Sequence, residues 1–210
     1  MKQILLSEGK YDVFLLEEFF REYDYCLDTF VREELEDSRH HRTQQTKKIR
    51  SFIERRSPYN VLIKSEGGKK NLLNFFSTEV RYLVEKIKKV VLVIDLDSDD
   101  EEGLGKLKEK LSERIEDRHS GSGCKVILNG PIKRNEYLVA LEGCIHLRGS
   151  PFGKFFVIGL KPNLEDIAGI DREGNNKETK KEKIKRLLDN DGISNFLEEV
   201  LTGNVLTERT

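Results

Sequence analysis

The segment VVLVIDLDSDD, residues 90–100, carries an apolar run into Asp95, Asp97, Asp99 and Asp100, with Glu101 and Glu102 directly behind. Carboxylates this close repel one another unless water, a basic partner or a bound cation compensates. At the carboxyl end of a parallel strand, where open α/β sheets gather their ligands, such oxygens suit Mg²⁺, which takes few carboxylates and keeps several waters. Strand alternation would set Asp95 and Asp97 on one side and Leu96 on the other. A second apolar run, QILLSEG (3–9), also ends in an acid, Glu8. Should the two strands be neighbours, three hard ligands meet at one sheet edge. Each acid has a plainer alternative. A short solvated turn explains Asp-x-Asp, and a Glu before Gly is an ordinary turn residue.

Positioning these acids requires a sheet, and the periodicity supplies one. After the first strand, Val13, Leu16, Phe20 and Tyr23 recur at helical spacing. NVLIKSEGG (60–68) reads as a second strand, followed by a helix over 71–88 with Leu72, Phe76, Val80, Leu83 and Ile87 on one stripe. VVLVID is the third strand. Gly103 is expected to break the chain before a helix defined by Leu104, Leu107, Leu111 and Ile115. CKVILNG (124–130) is the fourth strand. This alternation predicts βαβ units and a parallel sheet with flanking helices. Residues 28–57, acidic in their first half and basic in their second, read as a charged helical insertion. EYLVALEG, CIHLRG and KFFVIGL suggest a hairpin and one more strand joined at glycine-bearing turns. Thr179 and Glu182 suggest a capping box for a helix carrying Ile184, Leu187 and Leu188, and a last helix carries Ile193, Phe196, Leu197 and Val200. The organisation expected is an α/β domain over 1–170, with the insertion at 28–57 and a C-terminal helical extension over 171–210.

Composition narrows the function. Thirty-seven basic and 38 acidic residues leave a net charge of −1, so any affinity for nucleic acid must come from local patches. Cys26, Cys124 and Cys144 form no Cys-x-x-Cys pair, which argues against structural zinc or a disulfide framework and fits a reducing cytoplasm. No apolar run approaches the ~20 residues of a membrane span, and the first strand begins almost at once, without a leader. A second copy of the chain is kept as a candidate partner.

The order strand–Glu-Gly, helix, βα unit, strand–Asp-x-Asp resembles the toprim domain of topoisomerases, bacterial primases and overcoming-lysogenization-defect nucleases. The residues that carry the likeness are LLSEGKYD (5–12) and VVLVIDLD (90–97), and it covers about residues 2–130. It implies a toprim-like parallel sheet with a C-terminal β/α extension, Glu8 as general acid or base, and Asp95 and Asp97 as ligands of Mg²⁺ or Mn²⁺. VIGLKPNLEDIAG (157–169) is similar to a late acidic segment of small archaeal toprim-like proteins and of those nucleases. By that likeness Asp12 and Glu165, with Asp166 beside it, would complete a second metal position; the plain alternative is helix-first-turn acids favoured by the dipole. The chain lacks a zinc ribbon, which argues against a complete primase, and lacks an appended domain with a nucleophilic tyrosine.

Phosphodiester chemistry also needs cations for the backbone. Arg39, Arg42, Lys47 and Lys48 lie in the basic half of the insertion, and Lys69 and Lys70 follow Gly67-Gly68 at a helix start, where free amide N–H groups donate to phosphate oxygens. The Walker spacing is absent. The activity expected is metal-dependent cleavage of DNA or RNA. The alternatives are a non-catalytic module that binds nucleic acid or a partner, and a phosphatase using Asp95 as nucleophile.

Overall fold

The computed structural model describes residues 2–34, 41–54, 57–98, 100–170 and 176–203, with the backbone alone at 41–46 and 100. One seven-stranded sheet runs through it. The strands are β1 (Gln3–Ser7), β2 (Leu27–Phe30), β3 (Val61–Ser65), β4 (Lys89–Asp95), β5 (Cys124–Arg134), β6 (Leu138–Leu147) and β7 (Ser150–Leu160), in the spatial order β2-β3-β1-β4-β7-β6-β5. The five strands from β2 to β7 are mutually parallel, while β6 runs antiparallel to both β7 and β5. The fold is mixed α/β.

Central position explains the strand sequences. β1 and β3 are buried at every residue and β4 at all but its last, and such strands read as continuous apolar runs because helices cover both faces. On one face lie α3 (Lys69–Lys86) and α4 (Asp100–Arg118), with Ile49 and Phe52 of α2 (His41–Ile53). Leu72, Phe76, Val80 and Leu83 of α3 fill that layer, and Phe76 meets Phe155 of β7 edge-on at 4.9 Å between ring centroids. The opposite face takes α1 (Lys10–Arg21), α6 (Lys177–Arg186) and α7 (Asp191–Leu197), with Val13, Leu16 and Phe20 of α1 packed on Leu5, Ile63 and Val91. A single turn, α5 (Leu164–Ile167), follows β7. No helix among the described residues is long and apolar enough to cross a membrane.

Four local expectations are corrected. Residues 28–57 are not helical throughout, since β2 begins at Leu27 as an edge strand on β3 and a 3-10 turn follows at Arg32–Glu34. Its four residues are all half-buried, so the alternation that marks a strand is missing. Gly103 does not break the chain; α4 begins at Asp100 and runs through it. EYLVALEG and CIHLRG are one strand, β6, with Gly143 in its middle. A Cβ there would lie 2.2 Å from the Phe155 ring, so the glycine serves close packing rather than a turn. The cap of α6 is Asn176, whose side chain accepts the Thr179 N–H at 2.8 Å.

Candidate functional site

β1 and β4 are hydrogen-bonded neighbours, yet the chain leaves β1 towards β2 and β3 on one side and returns to β4 on the other. That reversal makes the carboxyl ends of the two strands a topological switch point, where an open parallel sheet usually keeps its ligand crevice. Glu8 and Asp95 stand at this point. The Asp95 N–H donates to Glu8 Oε1 at 2.9 Å, across 87 residues of sequence. Behind Glu8, its own carbonyl accepts the Gly68 N–H at 2.7 Å. Gly68 has φ 114°, a left-handed conformation that favours glycine, and this ties the start of α3 to the end of β1.

The two aspartates of the Asp-x-Asp segment are held differently. Asp95 ends β4 beside Leu160 of β7, and its Oδ1 accepts the Leu164 N–H of α5 at 3.1 Å. Asp97 does not continue the strand alternation. Its φ is 60°, and its N–H donates to the Pro162 carbonyl at 2.9 Å, so the chain turns and its mostly exposed side chain swings out. Non-glycine residues rarely take this conformation and concentrate at functional turns. Lys69, in the first turn of α3, spans the turn. Its Nζ donates to Asp97 Oδ2 at 2.6 Å and to the Asp95 carbonyl.

Asp12 and Glu165 lie within the same field. Asp12 is buried in the first turn of α1, and its Oδ2 accepts the Gly9 N–H at 2.9 Å, which ties it to the backbone next to Glu8. Glu165 is half-buried in α5 and raises the proton affinity of both Asp12 and Asp95. Asp166 is occupied otherwise: its carboxylate accepts from Asn163 Nδ2 at 2.6 Å and its N–H donates to Asn163 Oδ1 at 2.9 Å.

Crowding shows in the proton affinities. Burial, then the Asp95 charge, pushes Glu8 up to about 7, against the pull of the Asp95 N–H and of Lys69. Burial also raises Asp95 to about 6, with Glu165 and Asp97 adding to it and the Leu164 N–H and Lys69 opposing. Asp12 is raised as well, first by burial and then by Asp95, Glu8 and Glu165. These acids are therefore mutual neighbours whose negative charge Lys69 offsets only in part.

The donor chemistry fits a hard divalent cation: carboxylate oxygens, the Asp95 carbonyl, and excess buried negative charge. Among the described residues, no three Asp, Glu, His or Cys side chains already close around one point as metal ligands. The Lys69 ammonium occupies the space between the Asp95 carbonyl and Asp97.

The basic residues divide. Lys69 is at the acids, and Lys70 is exposed one residue along α3. Lys47 and Lys48 line a cleft of about 690 Å³ with Phe30, Phe52 and Tyr59 at the β2 edge. That edge is separated from β1 by β3, and Lys48 turns back to Asp28 Oδ1 at 2.6 Å and the Thr29 carbonyl at 3.1 Å. Arg39 and the side chain of Arg42 lie outside the described residues.

One polar strut beside the site had not been anticipated. At the end of β3, the buried Lys64 and Glu66 pair with each other, and the Glu66 N–H donates to the Ser7 carbonyl at 3.1 Å. Arg32 closes the strut, donating from Nη1 to the Glu66 carbonyl at 2.9 Å. The signal was present in VLIKSEG, where a lysine interrupts an otherwise apolar strand two residues before an acid.

No protein-family model matches the chain, and no curated protein sequence matches it.

Proposed function

We propose that the chain is a toprim-type enzyme that hydrolyses nucleic-acid phosphodiesters with Mg²⁺ or Mn²⁺. The observation that carries this reading is the 2.9 Å hydrogen bond from the Asp95 N–H to Glu8 Oε1 at the β1/β4 crevice, with Asp97 turned towards Lys69, which also donates to the Asp95 carbonyl. Asp95 and Asp97 would hold the cation, and Asp12 and Glu165 would extend the donor set towards a second. When bound, the cation supplies charge neutralisation and polarisation of a phosphoryl oxygen. Glu8 is the acid–base residue. Burial and the Asp95 charge raise its proton affinity to about 7 in the metal-free fold, and in the reaction it would accept a proton from an attacking water or return one to a departing oxygen. Lys69 and Lys70, at the rim of the crevice, would steady the phosphate backbone, and the exposed Lys47 would extend the path along the β2 edge. The three cysteines are free, in keeping with a cytoplasmic setting.

The test is nicking of supercoiled plasmid and cleavage of single strands in Mn²⁺. Asp97→Ala should abolish turnover while circular dichroism still reports a folded protein, because the side chain is mostly exposed. Cleavage that persists in the Glu8→Ala/Asp97→Ala protein would refute the assignment. Binding of nucleic acid by the parent without any turnover would favour the non-catalytic alternative.

A further inference from the structure

Lys69 does more than sit near the acids. Its ammonium donates to Asp97 Oδ2 at 2.6 Å and to the Asp95 carbonyl, two of the oxygens a divalent cation would need. A divalent cation drawn to the same oxygens meets the repulsion of that ammonium at contact distance. Lys69 is also rooted so that it can move. Its backbone is fixed by the Gly68–Glu8 hydrogen bond, while its four-carbon stem is flexible and its side chain is 23% exposed.

There is a place for the displaced ammonium. A pocket of about 220 Å³ is lined by Asp97 together with Lys69, Ser98, Lys106 and Lys110. The Ser98 hydroxyl is buried there without a hydrogen-bond partner among the described residues. Asp97 and Glu102 are already paired, with Lys69 and Lys106 respectively, and Lys110 makes no ion pair with a described residue. Gly103 keeps the floor tight: a Cβ there would come within 2.9 Å of the Leu96 carbonyl and 3.2 Å of Ser98 Oγ. Three ammonium groups and a hydroxyl offer hydrogen-bond donors to a tetrahedral oxyanion.

We infer that Lys69 is a resident counter-ion which a divalent cation displaces, and that the freed ammonium then joins Lys106, Lys110 and Ser98 in gripping a phosphate of the substrate. Metal loading and phosphate binding are thereby coupled through one side chain. The inference rests on the metal-dependent reading above.

Pulse acylation of the wild-type protein with an amine-reactive ester, read by peptide mass spectrometry, tests it, with Mn²⁺ binding followed by electron paramagnetic resonance on the same samples. Labelling of Lys69 should rise several-fold as Mn²⁺ binds, relative to the exposed Lys88. Tetrathymidylate should then protect Lys69, Lys106 and Lys110, and comparing it with and without a 5′ phosphate distinguishes an internal diester from a strand end. Lys69→Met should bind Mn²⁺ more tightly, by up to about fivefold, the factor expected of a partly exposed ion pair. Mn²⁺ binding with no rise in Lys69 labelling, weaker Mn²⁺ binding by Lys69→Met, or protection by neither oligonucleotide overturns the inference and leaves the metal-site reading standing. Absence of Mn²⁺ binding overturns both.

Discussion

Glu8→Gln should make the metal-free protein more stable at pH 8. In the fold Glu8 is raised from an ordinary 4.5 to about 7, so its ionisation opposes folding. A raised carboxyl favours the folded state fully below the unfolded value, and the advantage is lost as pH climbs from 4.5 through about 7. At 1.36 kcal/mol per pH unit that window corresponds to about 3 kcal/mol, which screening by water at the open side of the crevice reduces to between about 1 and 3 kcal/mol. Glutamine removes the charge while keeping an oxygen to accept the Asp95 N–H. For a chain of this size the gain corresponds to roughly 3 to 10 °C in melting temperature. Thermal unfolding in a chelator, followed by circular dichroism at pH 8 and pH 4.5, measures it. The gain should be present at pH 8 and nearly absent at pH 4.5, where the folded wild type already carries the proton. Asp95→Asn should show the same sign over its own lower window, from 3.8 to about 6. A loss of stability in Glu8→Gln at pH 8, or an equal gain at both pH values, would refute the claim that crowded charge sets the energetics of the crevice.

Three further outcomes are expected away from the acids. Glu66→Ala should cost about 1 to 3 kcal/mol in urea unfolding because it removes the partner of the buried Lys64, which burial already lowers to about 7, whereas Lys64→Met/Glu66→Met should recover most of that loss. Gly143→Ala should destabilise by about 1 to 3 kcal/mol, since its Cβ would overlap the Phe155 ring, and adding Phe155→Leu should restore part of it. Lys89→Met should speed amide hydrogen exchange over 198–202. The buried Lys89 ammonium donates to the Val200 and Leu201 carbonyls at 2.7 and 2.6 Å and closes that terminal turn.

Where the sequence could be read and where it could not follows from the range of the forces involved. β1, β3 and β4 were legible because burial on both faces demands apolar residues, and α1 and α3 because one stripe of each must meet the sheet. β2 was not, because an edge strand half-covered along its length needs no alternation, and the highly charged stretch after it dominates the local pattern. Gly143 was misread as a turn because its reason lies in the Phe155 ring on the neighbouring strand, and no local pattern reports a cross-strand contact.

The acidic crevice divides along the same line. That Glu8 and Asp95 close apolar strands is local information, but their meeting depends on β4 returning beside β1 rather than beyond β3, which only packing decides. Asp97 is the sharper case. Strand alternation would have placed it by extending β4, yet the Pro162 carbonyl, from the loop after β7, captures its N–H and holds φ at 60°. A residue 65 positions downstream thus sets the direction of the carboxylate and brings it to Lys69. The backbone cost of a left-handed aspartate, roughly 1 kcal/mol or more, is repaid only by contacts that the completed fold supplies. Carboxylate spacing along a chain therefore indicates which residues are available for chemistry, while the return of β4 beside β1 and the capture of one amide decide where their oxygens point.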